Sequence, residues 1–542
     1  MTSQASSNFD SFSEQLALHP KPENLKFTYG TAGFRMVATD LDYVNFTVGI
    51  LASLRSKYLG GKTVGVMVTA SHNPPQDNGV KVVDPLGSML AAEWETYATT
   101  LANSSHAELL GNIVKLSTDL KIDLSQPSSV IIARDSRESS PALSNATIDG
   151  FKAVPNTEYT DYGLFTTPQL HYLTRTLNDS AYGETSEEGY YKKMADAFKN
   201  IFKLSGNQEK IDITIDAANG VGAPKAEDLI KGYLSNQVSY TLVNGDYLTP
   251  QLLNYDCGAD YVKTNQKLPK NVDSPTPNKL YASFDGDADR LICYYNDSET
   301  GEFRLLDGDK LATLIALFFQ QLFEHIDETK LKLNIGVVQT AYANGSSTKY
   351  VEDVLKIPVV CTSTGVKHLH HAAEEFDIGV YFEANGHGTV IFSPEAERKI
   401  FAYENESASD RELESIHILQ EFTKLINQTV GDAISDLLAV LIILHYLGLN
   451  PEDWNQSYDD LPNKLIKVIV PDRSIFKTTN AERTLVEPVG LQAKIDDLVK
   501  KYPSGRSFVR ASGTEDAVRV YAEAKTKEGV EELSKLVGEL VK

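Results

Sequence analysis

The stretch Phe284–Arg290, FDGDADR, places three aspartates in alternation: Asp285, Asp287 and Asp289. In an extended segment alternate side chains share a face, so these carboxylates are expected to converge on one cation. Three carboxylate oxygens completed by a phosphate oxygen suit Mg2+, a hard ion usually shared between protein and phosphate. An EF-hand calcium loop needs Gly at its sixth position and Glu at its twelfth, where this chain has Arg290 and Asn296. A merely solvated acidic turn is disfavoured by the apolar flanks Ala282, Phe284, Leu291 and Ile292. Carboxylates crowded into a partly buried place repel one another strongly unless a cation offsets them.

A second candidate is Ser71 in TASHNPPQDNGVK, directly after an apolar run, Thr63–Thr69, that reads as a buried strand. Pro74 and Pro75 stiffen the chain behind it. A serine on a rigid turn at a strand's carboxyl end is well placed as a nucleophile or phosphoryl carrier, and His72 and Lys81 bracket it. Taken alone, the stretch reads at least as well as an exposed turn. In the tail, FVRASGTEDAVRVYAE gathers Arg510, Ser512, Gly513 and Thr514 into a guanidinium fork, hydroxyls and backbone N–H groups suited to a phosphate dianion. Arg519 and Tyr521 share one face of the strand that follows, where Arg519 adds a second positive charge. In YFEANGHGT, Glu383 and Asn385 can hydrogen-bond adjacent sugar hydroxyls and His387 can move a proton or bind phosphate, although a Gly-rich turn accounts for this stretch equally simply. The turn LLDGDK, with Asp307 and Asp309, could support the metal site electrostatically, but the favoured reading is a hairpin turn and helix cap.

Some chemistries are excluded. GGKT at Gly60–Thr63 is not an NTPase phosphate loop, because Ser56 stands where the first Gly is required. No G-x-G-x-x-G is present to hold a dinucleotide. A net charge of −23 opposes non-specific nucleic-acid binding, while a few arginines in a cleft still suffice for one phosphate. Cys257, Cys293 and Cys361 are too far apart for a zinc site or redox dithiol, and a reducing compartment fits them. The polar N-terminus shows no signal peptide, and the apolar runs Leu311–Phe319 and Leu437–Leu444 are too short to span a bilayer. The expectation is a cytoplasmic, monomeric protein with a small-molecule partner, bound neither to nucleic acid nor to membrane.

The elements that must position these residues follow an α/β rhythm. Thr63–Thr69, Ser129–Ala133, Ile211–Asp216 and Ile335–Thr340 read as buried strands, each followed by a polar loop and separated by segments of helical spacing. Ligands bind such sheets at the loops leaving the strands' carboxyl ends. A faint echo among TASHN, DAANGVG and TAYANG hints at three repeated modules. From about Asn450 a polar stretch, NPEDWNQSYDDLPN, reads as a linker. A strand (Lys464–Val470), a helix (Leu491–Lys501), two strands (Arg506–Arg510 and Ala517–Ala524) and an amphipathic helix then form a small α+β domain. The fold class is α/β: three α/β domains with mixed, largely parallel sheets and a smaller C-terminal α+β domain around a central cleft. The expected limits are 1–178 (serine loop), 179–297 (metal loop), 298–449 (sugar loop) and 450–542 (phosphate loop).

In order and spacing the four loops resemble the α-D-phosphohexomutase superfamily, with its serine loop, DGDxDR metal loop, GExSGH sugar loop and R-x-S-G-T phosphate loop. The resemblance covers essentially the whole chain and implies that Ser71 is phosphorylated and that one Mg2+ is held by Asp285, Asp287 and Asp289 together with Ser71. It puts Arg35 (of YGTAGFR), His72, Lys81, Arg290 and His387 around the transferring phosphoryl group. It gives Glu383 and Asn385 to the sugar hydroxyls, with Thr364, Gly365 and Lys367 of TGVK in a further sugar-contacting loop. Arg510, Ser512, Gly513, Thr514 and Arg519 then hold the non-reacting phosphate. In EANGHG, Phe382 replaces the usual Gly and Asn385 the usual Ser of the glucose and mannose mutases. That departure, with LNYDCGADYVK (Leu253–Lys263), implies an N-acetylhexosamine phosphate as substrate.

The implied reaction interconverts N-acetylglucosamine 6-phosphate and 1-phosphate through phosphoserine and a 1,6-bisphosphate, feeding UDP-N-acetylglucosamine synthesis. Lys81 is the first choice of base if neighbouring cations lower its pKa, with His72 and His387 as alternatives. The rivals are a mutase of plain hexose phosphates, a Mg-dependent sugar phosphatase and an inactive binding relative. A haloacid-dehalogenase-type phosphatase wants Thr or Val where this chain has Asp289 or Leu291, and intact Ser71 and aspartates oppose an inactive relative.

Overall fold

Three mixed sheets share one spatial plan in the computed structural model, which describes residues 11–512 and 516–542. In the first, β1 (Phe34–Val37), β3 (Asp77–Val83), β2 (Val64–Val68), β4 (Ser128–Arg134) and β5 (Thr157–Leu164) lie side by side in that order. β2, β4 and β5 run parallel, while β3 turns back antiparallel on β2. In the second, β6 (Ile211–Asp216) is flanked in parallel by β7 (Val238–Val243) and β8 (Tyr281–Phe284), and β9 (Leu291–Asn296) turns back on β8. β10 (Phe303–Leu306) extends this sheet beyond β9, so the sheet runs past the expected limit at residue 297. In the third, β11 (Ile335–Thr340) lies between β12 (Val359–Thr362) and β13 (Ile378–Phe382), and β14 (Gly388–Phe392) turns back on β13. Each sheet is thus a parallel trio closed by one hairpin.

This plan re-pairs the sequence echo. TASHN leaves β2, the hairpin strand, whereas DAANGVG and TAYANG leave the central strands β6 and β11. The topological counterparts of TASHN are the metal and sugar loops, which join β8 to β9 and β13 to β14. The counterpart of DAANGVG is the stretch after β4, RDSR. In the first sheet the hairpin precedes the central strand in the chain, so matching loops in simple sequence order misaligns them.

The C-terminal sheet is antiparallel, with β15 (Asn463–Ile469), β19 (Ala517–Glu523) and β18 (Arg506–Ala511) in order. Helices Leu491–Val499 and Lys527–Leu540 cover one face, burying Leu533 and Val537 against Val518 and Val520. A hairpin that the sequence pattern missed, β16 (Lys477–Thr479) and β17 (Thr484–Glu487), lies between β15 and the first of these helices. Its strands are too short to show a period. The expected linker is in part a capped helix, Pro451–Asn455, whose Trp454 is buried and donates to Lys310 O at 3.2 Å.

The chain divides into two compact units, one running to Leu305 and taking back Glu421–Tyr446, the other formed by Leu306–Gln420 and Leu447–Lys542. The runs Leu311–Phe319 and Leu437–Leu444 lie in buried helices, Gly308–Phe323 and Ala433–Leu447. Among the described residues no helix is long and apolar enough to cross a membrane.

Candidate active site

Ser71 sits at the tip of the β2–β3 hairpin, fully buried and with a left-handed backbone (φ +52°). A non-glycine residue there costs about 1–3 kcal/mol and persists only where its surroundings over-determine it. The restraint comes from RDSR after β4. Arg137 is 0% exposed and donates to four carbonyls of the serine hairpin: Ser71 O at 2.9 Å, Asn73 O at 2.9 Å, Pro74 O at 2.7 Å and Asp77 O at 2.9 Å. Asp135 holds Arg137 Nε at 2.9 Å and accepts from Thr69 Oγ1 at 2.7 Å, while Thr69 Oγ1 accepts from Ser71 N at 3.1 Å. Asn254 Nδ2 adds bonds to Ser71 O and Asn73 O. Sequence reasoning missed Asp135 and Arg137. Their signal was a charged R-D-S-R at the carboxyl end of the strand beside β2.

The metal loop departs from its expected geometry. Asp285–Arg290 is a tight turn between β8 and β9, with Ala288 left-handed at φ +58°. Ala288 N donates to Asp285 O at 3.1 Å, and Asp285 Oδ1 accepts from the backbone N–H groups of Asp289 and Arg290. The three carboxylates therefore converge because the backbone wraps around them, not through the alternation of an extended strand. All three are buried, with ligand atoms within 4.8 Å of one another. Burial first, then the charges of Asp289 and Asp287, raises Asp285 well above the ordinary carboxylate pKa. Asp287 Oδ1 is buried without a hydrogen-bond partner among the described residues, while Oδ2 accepts from Thr167 Oγ1 at 2.6 Å. Crowded, buried carboxylates of this kind, with one oxygen of Asp287 left to spare, fit a hard divalent cation such as Mg2+. Thr167 is a third residue that sequence reasoning missed, because it belongs to no motif and simply opens the helix Thr167–Asn178.

The serine and the aspartates meet. Ser71 Oγ donates to Asp285 Oδ2 at 2.5 Å, and His72 Nδ1 lies 3.5 Å from the same oxygen of Ser71. A Cβ on Gly286 would fall 2.6 Å from Ser71 O, so only glycine lets the two loops approach this closely. Lys81 Nζ is 3.7 Å from Asp287 Oδ2 and 3.6 Å from Asp289 Oδ2. Two carboxylates of the aspartate cluster therefore face Lys81. Arg290 Nη1 pairs with Asp260 at 2.9 Å. Arg35 on β1 stands opposite Gly79 of the serine hairpin, and burial, then Arg290, lowers its pKa. Burial, followed by Arg290, lowers His72 to about 4.

The second unit carries the sugar and phosphate loops. Glu383, Asn385 and His387 form the β13–β14 turn: Glu383 N donates to His387 O at 2.8 Å, and Asn385 Oδ1 accepts from His387 N at 3.0 Å. Asn385 Nδ2 lies 3.3 Å from Glu383 Oε2. The acidic turn LLDGDK is the expected helix cap, with Asp307 accepting from Asp309 N at 3.1 Å, but it leads from β10 straight into the helix and closes no hairpin. It also abuts the sugar loop, because a Cβ on Gly308 would fall 1.8 Å from Glu383 O. Arg510 and Arg519 face each other across the β18/β19 ladder, and Lys467 on β15 stands opposite Arg519. Directly opposed residues share a face, so three cations form a row across the sheet, an arrangement that favours an anion. Ser512 is buried, and its carbonyl accepts from Arg473 Nη1 at 2.9 Å. Gly513 and Thr514 lie outside the described residues. Thr364, Gly365 and Lys367 lie where β12 passes into the helix Val366–Ala373.

Family models match this chain in four places. They are phosphoacetylglucosamine mutase domain II at residues 179–292 and domain III at 307–449. The other two are phosphoglucomutase/phosphomannomutase α/β/α domain I at 51–106 and 98–184, and the C-terminal domain of the same family at 465–539. The phosphoacetylglucosamine mutase of Candida albicans is 71% identical over 541 residues, covering 98% of this chain and 99% of the relative. A crystal structure of an N-acetylglucosamine-phosphate mutase in its substrate complex matches with a TM-score of 0.96 at 71% identity, covering 99% of this chain and 100% of that one. The Aspergillus fumigatus N-acetylphosphoglucosamine mutase, in complex with GlcNAc-6P and magnesium, matches with a TM-score of 0.93 at 49% identity, covering 100% and 99%. This chain, with its buried serine over a triad of aspartates, belongs to the phosphoacetylglucosamine mutase family of the α-D-phosphohexomutase superfamily.

Proposed function

We infer that this enzyme interconverts N-acetylglucosamine 6-phosphate and N-acetylglucosamine 1-phosphate, supplying the 1-phosphate from which UDP-N-acetylglucosamine is made. The observation that carries the reading is the 2.5 Å contact of Ser71 Oγ with Asp285, inside a loop cluster whose relatives act on this sugar phosphate. Ser71 is the phosphoryl carrier. Phosphoserine gives its phosphoryl group to the free sugar hydroxyl: the seryl O–P bond breaks, a sugar O–P bond forms, and the hydroxyl proton passes to a base. The 1,6-bisphosphate then reorients and returns its other phosphoryl group to Ser71.

Asp285, Asp287 and Asp289, with an oxygen on Ser71, are the residues that would hold one Mg2+. When bound, the ion offsets negative charge on the transferring phosphoryl group. Arg35 and Arg290 add fixed positive charge, and their burial spares solvent reorganisation during transfer. Lys81, His72 and His387 are the candidate bases, and Lys81 also balances Asp287 and Asp289. Glu383, Asn385, Thr364, Gly365 and Lys367 take the sugar. Arg510, Ser512, Gly513, Thr514 and Arg519 take the non-reacting phosphate.

The domains are read as 1–178, 179–297, 298–449 and 450–542, a division that three mixed sheets and the antiparallel C-terminal sheet favour, although β10 carries the second sheet past residue 297. The enzyme is read as a monomer, and a cytoplasmic location fits its three free, separated thiols. Turnover of the N-acetylglucosamine, glucose and mannose phosphates, compared on one preparation, tests the assignment. Efficient use of glucose phosphate with little use of the N-acetyl sugar would refute it, and release of free phosphate without isomerisation would make the enzyme a phosphatase.

A further inference from the structure

The turn of the β16–β17 hairpin holds three consecutive non-glycine residues in left-handed conformation: Asn480 (φ +53°), Ala481 (φ +54°) and Glu482 (φ +65°). Such strain persists only where surrounding contacts impose it, and it concentrates at working sites. The turn is tied by Arg483, whose Nε and Nη2 donate to Asn480 O at 3.1 Å and Asn480 Oδ1 at 2.8 Å. The outcome is one carboxylate delivered between two loops. Glu482 Oε2 accepts from Thr364 N at 3.0 Å and Thr364 Oγ1 at 2.5 Å, and Oε1 accepts from Arg510 Nη1 at 2.8 Å.

The other side of the same guanidinium is also fixed. Arg510 Nε donates to Tyr342 Oη at 3.1 Å, and Tyr342 packs edge-on against Phe508 and Tyr521 at 5.1 and 5.8 Å between ring centres. A free arginine side chain samples many rotamers, and a ligand that must order it loses affinity. Here the protein orders it beforehand. Both side chains of the Glu482–Arg510 pair are about one-fifth exposed, at 20% and 22%, so water screens the pair only in part.

We propose that Glu482 is a positioning residue of the mutase: it presents Arg510 to the substrate's non-reacting phosphate and ties that arginine to the sugar-contacting loop at Thr364. The inference rests on the reading of Arg510 as a phosphate ligand. Glu482 touches no substrate. It acts through Arg510, using Nη1 while Nη2 serves the phosphate, so its effect belongs to binding and not to the chemical step. A carboxylate is suited to the task because its two oxygens accept from two partners at once and its charge keeps the guanidinium in place.

The test is a double-mutant cycle on the full-length enzyme, reading kcat and KM for N-acetylglucosamine 6-phosphate with saturating bisphosphate. Glu482→Ala is expected to raise KM about tenfold with kcat held within about twofold, the pattern of lost uniform binding. Glu482→Gln keeps the volume but accepts from only one partner, and its KM should fall between wild type and Glu482→Ala. It also guards against a variant that fails to fold. In an Arg510→Ala background Glu482→Ala should change KM no further, since its route of action is gone. A lower KM in Glu482→Ala would show a carboxylate competing with phosphate, and an unchanged KM with a lower melting temperature would show a purely structural pair. Either result, or additivity with Arg510→Ala, overturns the proposal. An Arg510→Ala enzyme with unaltered KM would instead remove the phosphate role of Arg510 itself, and the proposal with it.

Discussion

Ser71 Oγ and Asp285 Oδ2 lie 2.5 Å apart although 214 residues separate them in sequence. Ser71 and the aspartate cluster are therefore one site, built from hairpins of two different sheets. This contact leads to the first prediction. Ser71→Ala should abolish mutase turnover while Mg2+ and sugar phosphate still bind, as read by calorimetry. Near-normal turnover of that variant with bisphosphate present would sink the phosphoserine mechanism.

Arg137 supports four carbonyls of the serine hairpin from a fully buried position. Its replacement by Ala leaves Asp135 buried without its partner, a loss of about 3–5 kcal/mol for a buried pair broken on one side. Thermal unfolding should show a lowered midpoint, and kcat should fall by about a hundredfold as the serine loses its fixed geometry. A stable, fully active Arg137→Ala enzyme would show that the strained turn holds itself.

The three buried carboxylates predict a metal-linked change in stability. Mg2+ that binds only the folded protein raises the melting temperature by mass action. The increment should be present in wild type, small in Asp287→Asn and abolished by EDTA, and EDTA should also stop turnover. Equal increments in wild type and Asp287→Asn would place the ion elsewhere.

Gly308 sits against the carbonyl of Glu383 with no room for a methyl group. Gly308→Ala should overpack that contact at a cost of about 1–3 kcal/mol and push the sugar loop aside. Kinetics should show a raised KM for the sugar phosphate together with a lower melting temperature. An unchanged KM would mean that the loop tolerates the displacement.

Glu482 supplies a pH signature. Burial raises its pKa, but hydrogen bonds from Thr364 and the charge of Arg510 outweigh burial, so the folded value lies below the ordinary one. For a carboxylate with a depressed folded pKa, the stabilisation is full above the unfolded pKa of roughly 4.3 and disappears as pH falls through the folded value. The melting-temperature difference between wild type and Glu482→Gln should therefore be constant near neutrality and shrink as pH falls below about 4. A difference that grows in acid would contradict the pairing.

Much of the chemistry is legible in short stretches of the sequence when they are read together. Three aspartates within five residues, a serine after an apolar strand and an arginine with hydroxyls in a turn are local patterns, and local patterns persist in a linear string. The apolar runs also identified β2, β4, β6 and β11, because a buried parallel strand is hydrophobic on both faces. What the string does not carry is contact across long separations. That Arg137 braces Ser71, that Thr167 holds Asp287, and that Glu482 joins Thr364 to Arg510 depends on which strands lie side by side and on where turns send their side chains. The same reason explains the errors. The metal loop is a wrapped turn because β9 must double back on β8, and the echo of TASHN with DAANGVG was misaligned because the first sheet places its hairpin before its central strand. Pairing of strands is a property of the packed chain, set by contacts that no local pattern records.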